Sequence, residues 1–183
     1  MSRNIWFISD THFGHKNIIK FLKSDGTPIR PRPGTNEPFS CIEEHDQLLV
    51  DNWNGLINNG DKVYCLGDFG NPEFGFRLAG EKRLILGNHD HKWDVLLKVF
   101  GKIMLNTYLK HFKVPETEFN AIFTHMPTNS EADHAHRMVD FNVHGHIHEK
   151  MLPNPHYINL CVENTSMKPV HLDELLKIME SRQ

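Results

Sequence analysis

Five short segments of this chain concentrate its carboxylate, imidazole and amide side chains: Asp10-Thr11-His12, Gly67-Asp68, Gly87-Asn88-His89-Asp90, His125 and Gly145-His146-Ile147-His148. Four of the five directly follow a short apolar run. Such runs, bounded by turn residues, read as buried β-strands. An α/β sheet presents ligand sites at the carboxyl ends of its strands, so polar groups that repeatedly follow strands are brought to one edge. This punctuation constrains the chain to an α/β fold in which the five segments converge.

The rest of the sequence supports that architecture. Asn4 to Ser9 (NIWFIS) reads as a strand, followed by a turn at Asp10 to Gly14 and a short helix over His15 to Leu22. Lys23 to Phe39, rich in Gly, Pro, Arg and Thr, reads as a surface loop that covers one side of the site and carries Arg30 and Arg32. Ser40 and Glu43 form a capping box for a helix running to about Asn54, with Ile42, Leu48, Leu49, Trp53 and Leu56 as its apolar stripe. Strands are expected at Asp61–Leu66, Lys82–Leu86, Phe119–Thr124, Met138–Val143 and Tyr157–Val162, with one or two more between Lys102 and Val114. A short helix is expected between Asn71 and Leu78, a second over His91–Phe100, and a closing amphipathic one over Leu172–Glu180. There is no internal repeat.

Composition narrows the class further. A length of 183 residues fits a single domain spanning 1–183 with a substantial core. A formal net charge of -3 argues against a strongly basic nucleic-acid surface. Cys41, Cys65 and Cys161 are far apart and form no CxxC pair, so neither a disulfide framework nor a thiolate zinc site is suggested, and a reducing cytosol is the expected location. No apolar run approaches the roughly 20 residues of a membrane span, and the first strand begins without a signal-like segment. The expectation is a soluble, cytoplasmic protein.

Hydrolysing a phosphoester at neutral pH requires an activated water and compensation of charge on the phosphoryl oxygens, which two divalent ions about 3.5–4 Å apart provide. Asp68 is the best candidate for a bridging carboxylate, because its two oxygens can each meet one ion. A mixed oxygen and imidazole donor set without thiolate suits Mn, Fe, Zn, Ni or Co rather than Ca, with Mg disfavoured by the imidazoles, and the donors do not choose among the five; two divalent ions are expected, with Mn placed first.

In this order the blocks DTH, GD, GNHD, the His of FTHMP, and GHIH resemble the five signature blocks of the calcineurin-like metallophosphoesterases. The match covers roughly residues 5 to 165, and the DTHFGHKNII opening and the NL-V-N stretch near Val162 are similar to the small bacterial and phage members. The resemblance implies a four-layer α/β/β/α sandwich of two mixed β-sheets flanked by helices. It implies one metal held by Asp10, His12, Asp68 and His148, and a second by Asp68, Asn88, His125 and His146. His89 matches the family's non-ligand histidine that contacts the phosphate, and Asp90 would orient its ring. The implied chemistry is in-line attack by a hydroxide bridging two divalent ions, with no covalent enzyme intermediate.

Each block has a blander reading, since Asp-x-His can cap a helix and Gly-Asp or Gly-Asn can be ordinary turn chemistry. Their joint occurrence at strand ends outweighs those readings. His15, His134, His136, His144, Arg30, Arg32, Arg137, Asn71 and Trp93 lie outside the expected site. GDFGN and GNHD depart from the Asp-Arg-Gly and Glu endings of the large Ser/Thr phosphatases, which favours a phosphodiester, nucleotide-derived or cyclic, as substrate. A phosphomonoesterase and a non-catalytic metal-binding interaction module are the alternatives. No extended nucleic-acid duplex is expected as partner. Homodimers occur in the family, but the sequence carries no argument for one.

Overall fold

The computed structural model describes residues 4–105, 107–114, 117–128 and 139–182. Nine strands are described: β1 (Ile5–Ile8), β2 (Lys62–Cys65), β3 (Glu81–Ile85), β4 (Lys102–Met104), β5 (Thr107–Val114), β6 (Thr117–Thr124), β7 (Phe141–His144), β8 (Tyr157–Asn159) and β9 (Val170–His171). The described α-helices are α1 (Ile42–Leu56), α2 (Trp93–Val99) and α3 (Leu172–Glu180). The first sheet has the order β4-β3-β2-β1-β9 and is parallel except for β9, and the second has the order β5-β6-β7-β8 with only the β5/β6 pair antiparallel.

The apolar runs sort cleanly onto two faces, because successive side chains of a strand point to opposite sides. Ile8, Val63, Cys65 and Leu84 join Leu49, Val50 and Trp53 of α1 and Leu96 of α2 in one core. Their neighbours Phe7, Tyr64, Leu66 and Ile85 face the other way and meet Phe119, Ala121, Phe123, Phe141, Val143 and Ile158 of the second sheet, with Leu175 and Met179 of α3. The central strands are therefore buried on both faces, which is why they read as continuous apolar runs rather than as alternating patterns. The result is a mixed α/β fold of two sheets with flanking helices. No helix among the described residues is long and apolar enough to cross a membrane.

Several local expectations shift. The segment after Gly14 winds only as a 3₁₀ turn at Ile18–Lys20, and the one after Asn71 as a 3₁₀ turn at Pro72–Arg77. Helix α1 takes Cys41 as its N-cap with no side-chain cap bond, and the reaching-back acid moves one place along: Ser40 donates its amide proton to Glu44 Oε2 at 2.8 Å. Its buried face includes His45 and Asp46, while Leu56 is exposed. The expected strand Tyr157–Val162 ends at Asn159, and a 3₁₀ turn follows at Val162–Asn164. The strand expected from Met138 is β7, starting at Phe141; Met138 itself, with His134, His136 and Arg137, lies outside the described residues.

Candidate metal centre

Each of the five segments leaves the carboxyl end of a strand: β1 delivers Asp10 and His12, β2 Asp68, β3 Asn88 to Asp90, β6 His125, and β7 His146 and His148. Five of these residues hold left-handed backbone, with φ of 57° at Asp10, 50° at His12, 50° at Asp68, 70° at His146 and 52° at His148. For a non-glycine residue this costs on the order of 1–3 kcal/mol and persists only where surrounding structure fixes it. Five of the eight non-glycine residues with positive φ among the described residues fall in these segments, the others being Lys92, Ser166 and Met167. The glycines before the ligands also permit close loop packing: a Cβ on Gly67 would stand 2.5 Å from Nδ1 of His125, and one on Gly145 would collide with Ser9 and Asp10.

Two groups of ligand atoms form, Asp10 with His12 and His148, and Asp68 with His125 and His146, each group within 4.8 Å. Asp10 is fully buried, and its Oδ2 accepts from Ser9 Oγ at 2.5 Å, the His146 amide at 2.9 Å and the Cys161 thiol at 3.2 Å. Its Oδ1 has no partner and lies 3.7 Å from His12 Nε2, which is likewise buried and unpartnered. The hydrogen bonds thus turn one oxygen away and leave the other facing the imidazole. Asp68 is arranged the same way: Oδ1 accepts the His89 amide proton at 2.8 Å, while Oδ2 lies 3.6 Å from His12 Nε2 and 3.5 Å from His125 Nε2. A single oxygen, rather than one oxygen per group, therefore stands between the two clusters.

The second group shows why a cation fits. His125 Nδ1 donates to Leu66 O at 2.9 Å, which leaves the Nε2 lone pair facing Asn88 Oδ1 at 3.0 Å, His146 Nδ1 at 3.2 Å and Asp68 Oδ2. Four acceptor atoms converge, and one shared proton can satisfy only one of the facing acceptors. A divalent ion satisfies them together. With the orphaned Asp10 Oδ1 and His12 Nε2 opposite, the donor set suits two borderline divalent cations. The Cys161 thiol, pushed far up by burial and Asp10, stays a proton donor rather than a thiolate ligand.

Burial alone would raise Asp10 and Asp68, yet the imidazoles of His12 and His125 beside them, with backbone amides and further neighbours, hold both below the usual carboxylate range, so both are ionised. Burial lowers His125 and His148, but Asp68 and Asp10 carry the first above its ordinary value, and Glu163 carries the second.

Glu163 is a site residue that the motif blocks do not contain. It lies in the turn after β8, its side chain 1 % exposed, and accepts from His148 Nδ1 at 2.8 Å and Arg30 Nε at 2.7 Å on one oxygen. That bond fixes the His148 tautomer and leaves Nε2 for an ion. Arg30, expected on a surface loop, is 1 % exposed; its guanidinium also donates to Thr11 O at 3.1 Å, to the Asp10 carbonyl and to His45 Nε2 at 3.0 Å. His45 in turn donates to Asp46, whose other oxygen accepts from the Gly14 amide at 2.9 Å. The sequence signal was an arginine between Ile29 and Pro31 and an acid inside the NL-V-N stretch, between Val162 and Asn164. The NL-V-N stretch also acquires a role, since Asn159 and Asn164 donate to the His148 carbonyl at 2.8 and 2.7 Å and hold that loop.

Asp90 corrects one expectation. Its buried carboxylate accepts from the backbone amides of Asp68 (3.0 Å), Phe69 (2.9 Å) and Gly87 (2.8 Å), not from the His89 ring. It ties the second and third ligand loops together and is a positioning residue. His89 is exposed, with its ring 5.8 Å from that of His12.

The fold brings together two His/Asp groups, each of which could hold a metal ion. The chain matches the calcineurin-like phosphoesterase family over residues 3–180 and belongs to that family. An uncharacterized protein of Methanocaldococcus jannaschii is 32% identical over 97% of this chain and 92% of its own length. The gene 66 protein of Mycobacterium phage D29 is 24% identical, covering 87% of this chain and 88% of its own. A solved protein of unknown function from Aquifex aeolicus superposes with a TM-score of 0.70 at 24% identity, over 97% of this chain and 100% of its own. Family and clusters together suggest a site for two divalent metals.

Proposed function

We propose that the chain is a single-domain, dinuclear-metal-dependent phosphodiesterase, with Asp10, His12 and His148 holding one ion, Asn88, His125 and His146 the other, and Asp68 shared. The observation that carries this reading is Asp68 Oδ2, placed between the imidazoles of His12 and His125 at 3.6 and 3.5 Å. When bound, the ions supply an activated water and neutralise the phosphoryl oxygens. Manganese is placed first among the ions that suit the mixed donors.

The protein's own residues supply the remaining chemistry. His89 stands beside His12 in an open cleft, within reach of a leaving oxygen, and is assigned the proton that oxygen needs when its bond to phosphorus breaks. Its main chain is clamped by the bond to Asp68, so the ring is carried on a fixed backbone. Clefts open on both sides of the centre, one of about 300 Å³ reaching His12 and His89 and one of about 510 Å³ reaching Asn88 and His125. A diester has two arms to occupy them, and a monoester has one.

The test is hydrolysis of bis-p-nitrophenyl phosphate against p-nitrophenyl phosphate by chelator-stripped protein with and without Mn²⁺. Metal-dependent cleavage favouring the diester supports the reading, and preference for the monoester overturns its substrate half. His89→Ala is expected to lower turnover by about 10²- to 10⁴-fold with metal content unchanged.

A further inference from the structure

The two clefts differ in chemistry. The one on the Asn88 side is lined by Leu86, Leu105, Met126 and Pro127 with Asn88, His125 and two threonines, and among the described residues by no lysine, arginine or acid; Leu105 and Met126 are 71% and 50% exposed. The one on the His12 side is lined, besides His12 and His89, by His15, Asn71, His91 and Lys92. Among the described residues no carboxylate lines it, in a chain with 23 acidic residues and a net charge of -3. Lys92 holds left-handed backbone at φ 61°, outside the candidate ligand set. Its ammonium reaches the Asn71 side-chain oxygen at 3.3 Å, spanning the cleft between the third ligand loop and the loop after Asp68. A strained backbone that delivers a cation across a carboxylate-free cleft is arranged for an anion.

We infer that the substrate carries a second phosphate on the arm lying in this cleft, bound by Lys92 with His15, Asn71 and His91, while the other arm takes an apolar or aromatic group beside Leu105 and Met126. The inference rests on the phosphodiesterase reading and names its substrate class: a phosphodiester with a further phosphate on one arm. That phosphate can belong to a nucleoside or to a polyphosphate chain.

The experiment compares kcat/KM for thymidine 5′-(p-nitrophenyl phosphate) and its 3′-phosphorylated derivative, with diadenosine tetraphosphate as the polyphosphate arm. A second phosphate is expected to raise kcat/KM by about 10-fold or more, as a charge-assisted contact does. Whichever of the two phosphorylated substrates shows the gain identifies the source. Lys92→Gln is expected to abolish that preference, and Lys92→Arg to restore it in part. Calorimetry on Mn²⁺-loaded protein gives a second readout, with thymidine 3′,5′-bisphosphate expected to bind about 10-fold more tightly than thymidine 5′-monophosphate. Equal kcat/KM with and without the second phosphate, or a preference that Lys92→Gln leaves intact, overturns the inference and leaves the phosphodiesterase reading standing. No turnover of any ester overturns that reading, while the calorimetric comparison still decides whether the cleft selects the phosphate.

Discussion

The two halves of the candidate centre are held in different ways. Around Asp10, His12 and His148 the support is a continuous buried chain, from His148 through Glu163, Arg30, His45 and Asp46 to the Gly14 amide. Around Asn88, His125 and His146 the support is short: Leu66 O fixes His125, Asn88 is exposed, and Asn142 steadies the loop after His125 through the Thr128 amide at 2.8 Å. The first half is therefore preorganised by charge that water cannot reach, and the second by backbone carbonyls and by the ligands themselves. The difference predicts that the first site fills first and exchanges more slowly.

Asp68 is the one side chain on which both halves depend, so its loss should erase the contrast. Asp68→Asn is expected to remove both ions, read by elemental analysis, and to lower hydrolysis by about 10³-fold, the equivalent of several kcal/mol of lost charge stabilisation. Two ions per chain in this variant would show that the ligand assignment is wrong.

Arg30 tests the buried chain against its counterpart. Arg30→Ala takes the guanidinium from the buried Glu163 carboxylate and leaves it the His148 ring as partner, which costs about 3–5 kcal/mol of folding stability. Asn142→Ala in the other half removes neutral hydrogen bonds and should cost about 1–3 kcal/mol. Urea denaturation of the metal-free proteins measures both, and equal losses would dissolve the comparison.

Arg30 also marks where the sequence stopped being legible. The strands, the polar residues gathered at their ends and the α/β class could be read because apolar runs and the polar residues that follow them are adjacent in the chain. Arg30 and Glu163 are separated by 133 positions, so no window contains both. Proline and glycine around Arg30 signalled a surface loop, and on α1 the buried His45 and Asp46 share the inner face with Ile42, Leu49 and Trp53 of the expected stripe, a polar part that an apolar pattern does not show. Asp90 was expected to orient the His89 ring, but its partners are backbone amides, which no side-chain pattern reveals.

The smallest expected effect is the most selective. Glu163→Gln keeps the shape and an acceptor for the His148 ring but removes the charge that raises ligand basicity, a change worth about 10–100-fold in metal affinity. Titration with Mn²⁺ should show that loss at the first site only; weakening of both sites, or of neither, breaks the proposed division. The same variant has a pH signature. Burial would raise the Glu163 carboxyl, but Arg30 and His148 hold it below its ordinary value in the folded chain. A carboxylate depressed on folding stabilises the protein above its unfolded pKa of about 4.3, and that contribution is lost as pH falls through the lower folded value. The metal-free wild type should therefore lose stability on acidification over this window more steeply than Glu163→Gln, since glutamine does not titrate. Parallel curves would mean that Glu163 carries no net charge in the metal-free fold, and that the first half is held by shape rather than by ionised contacts.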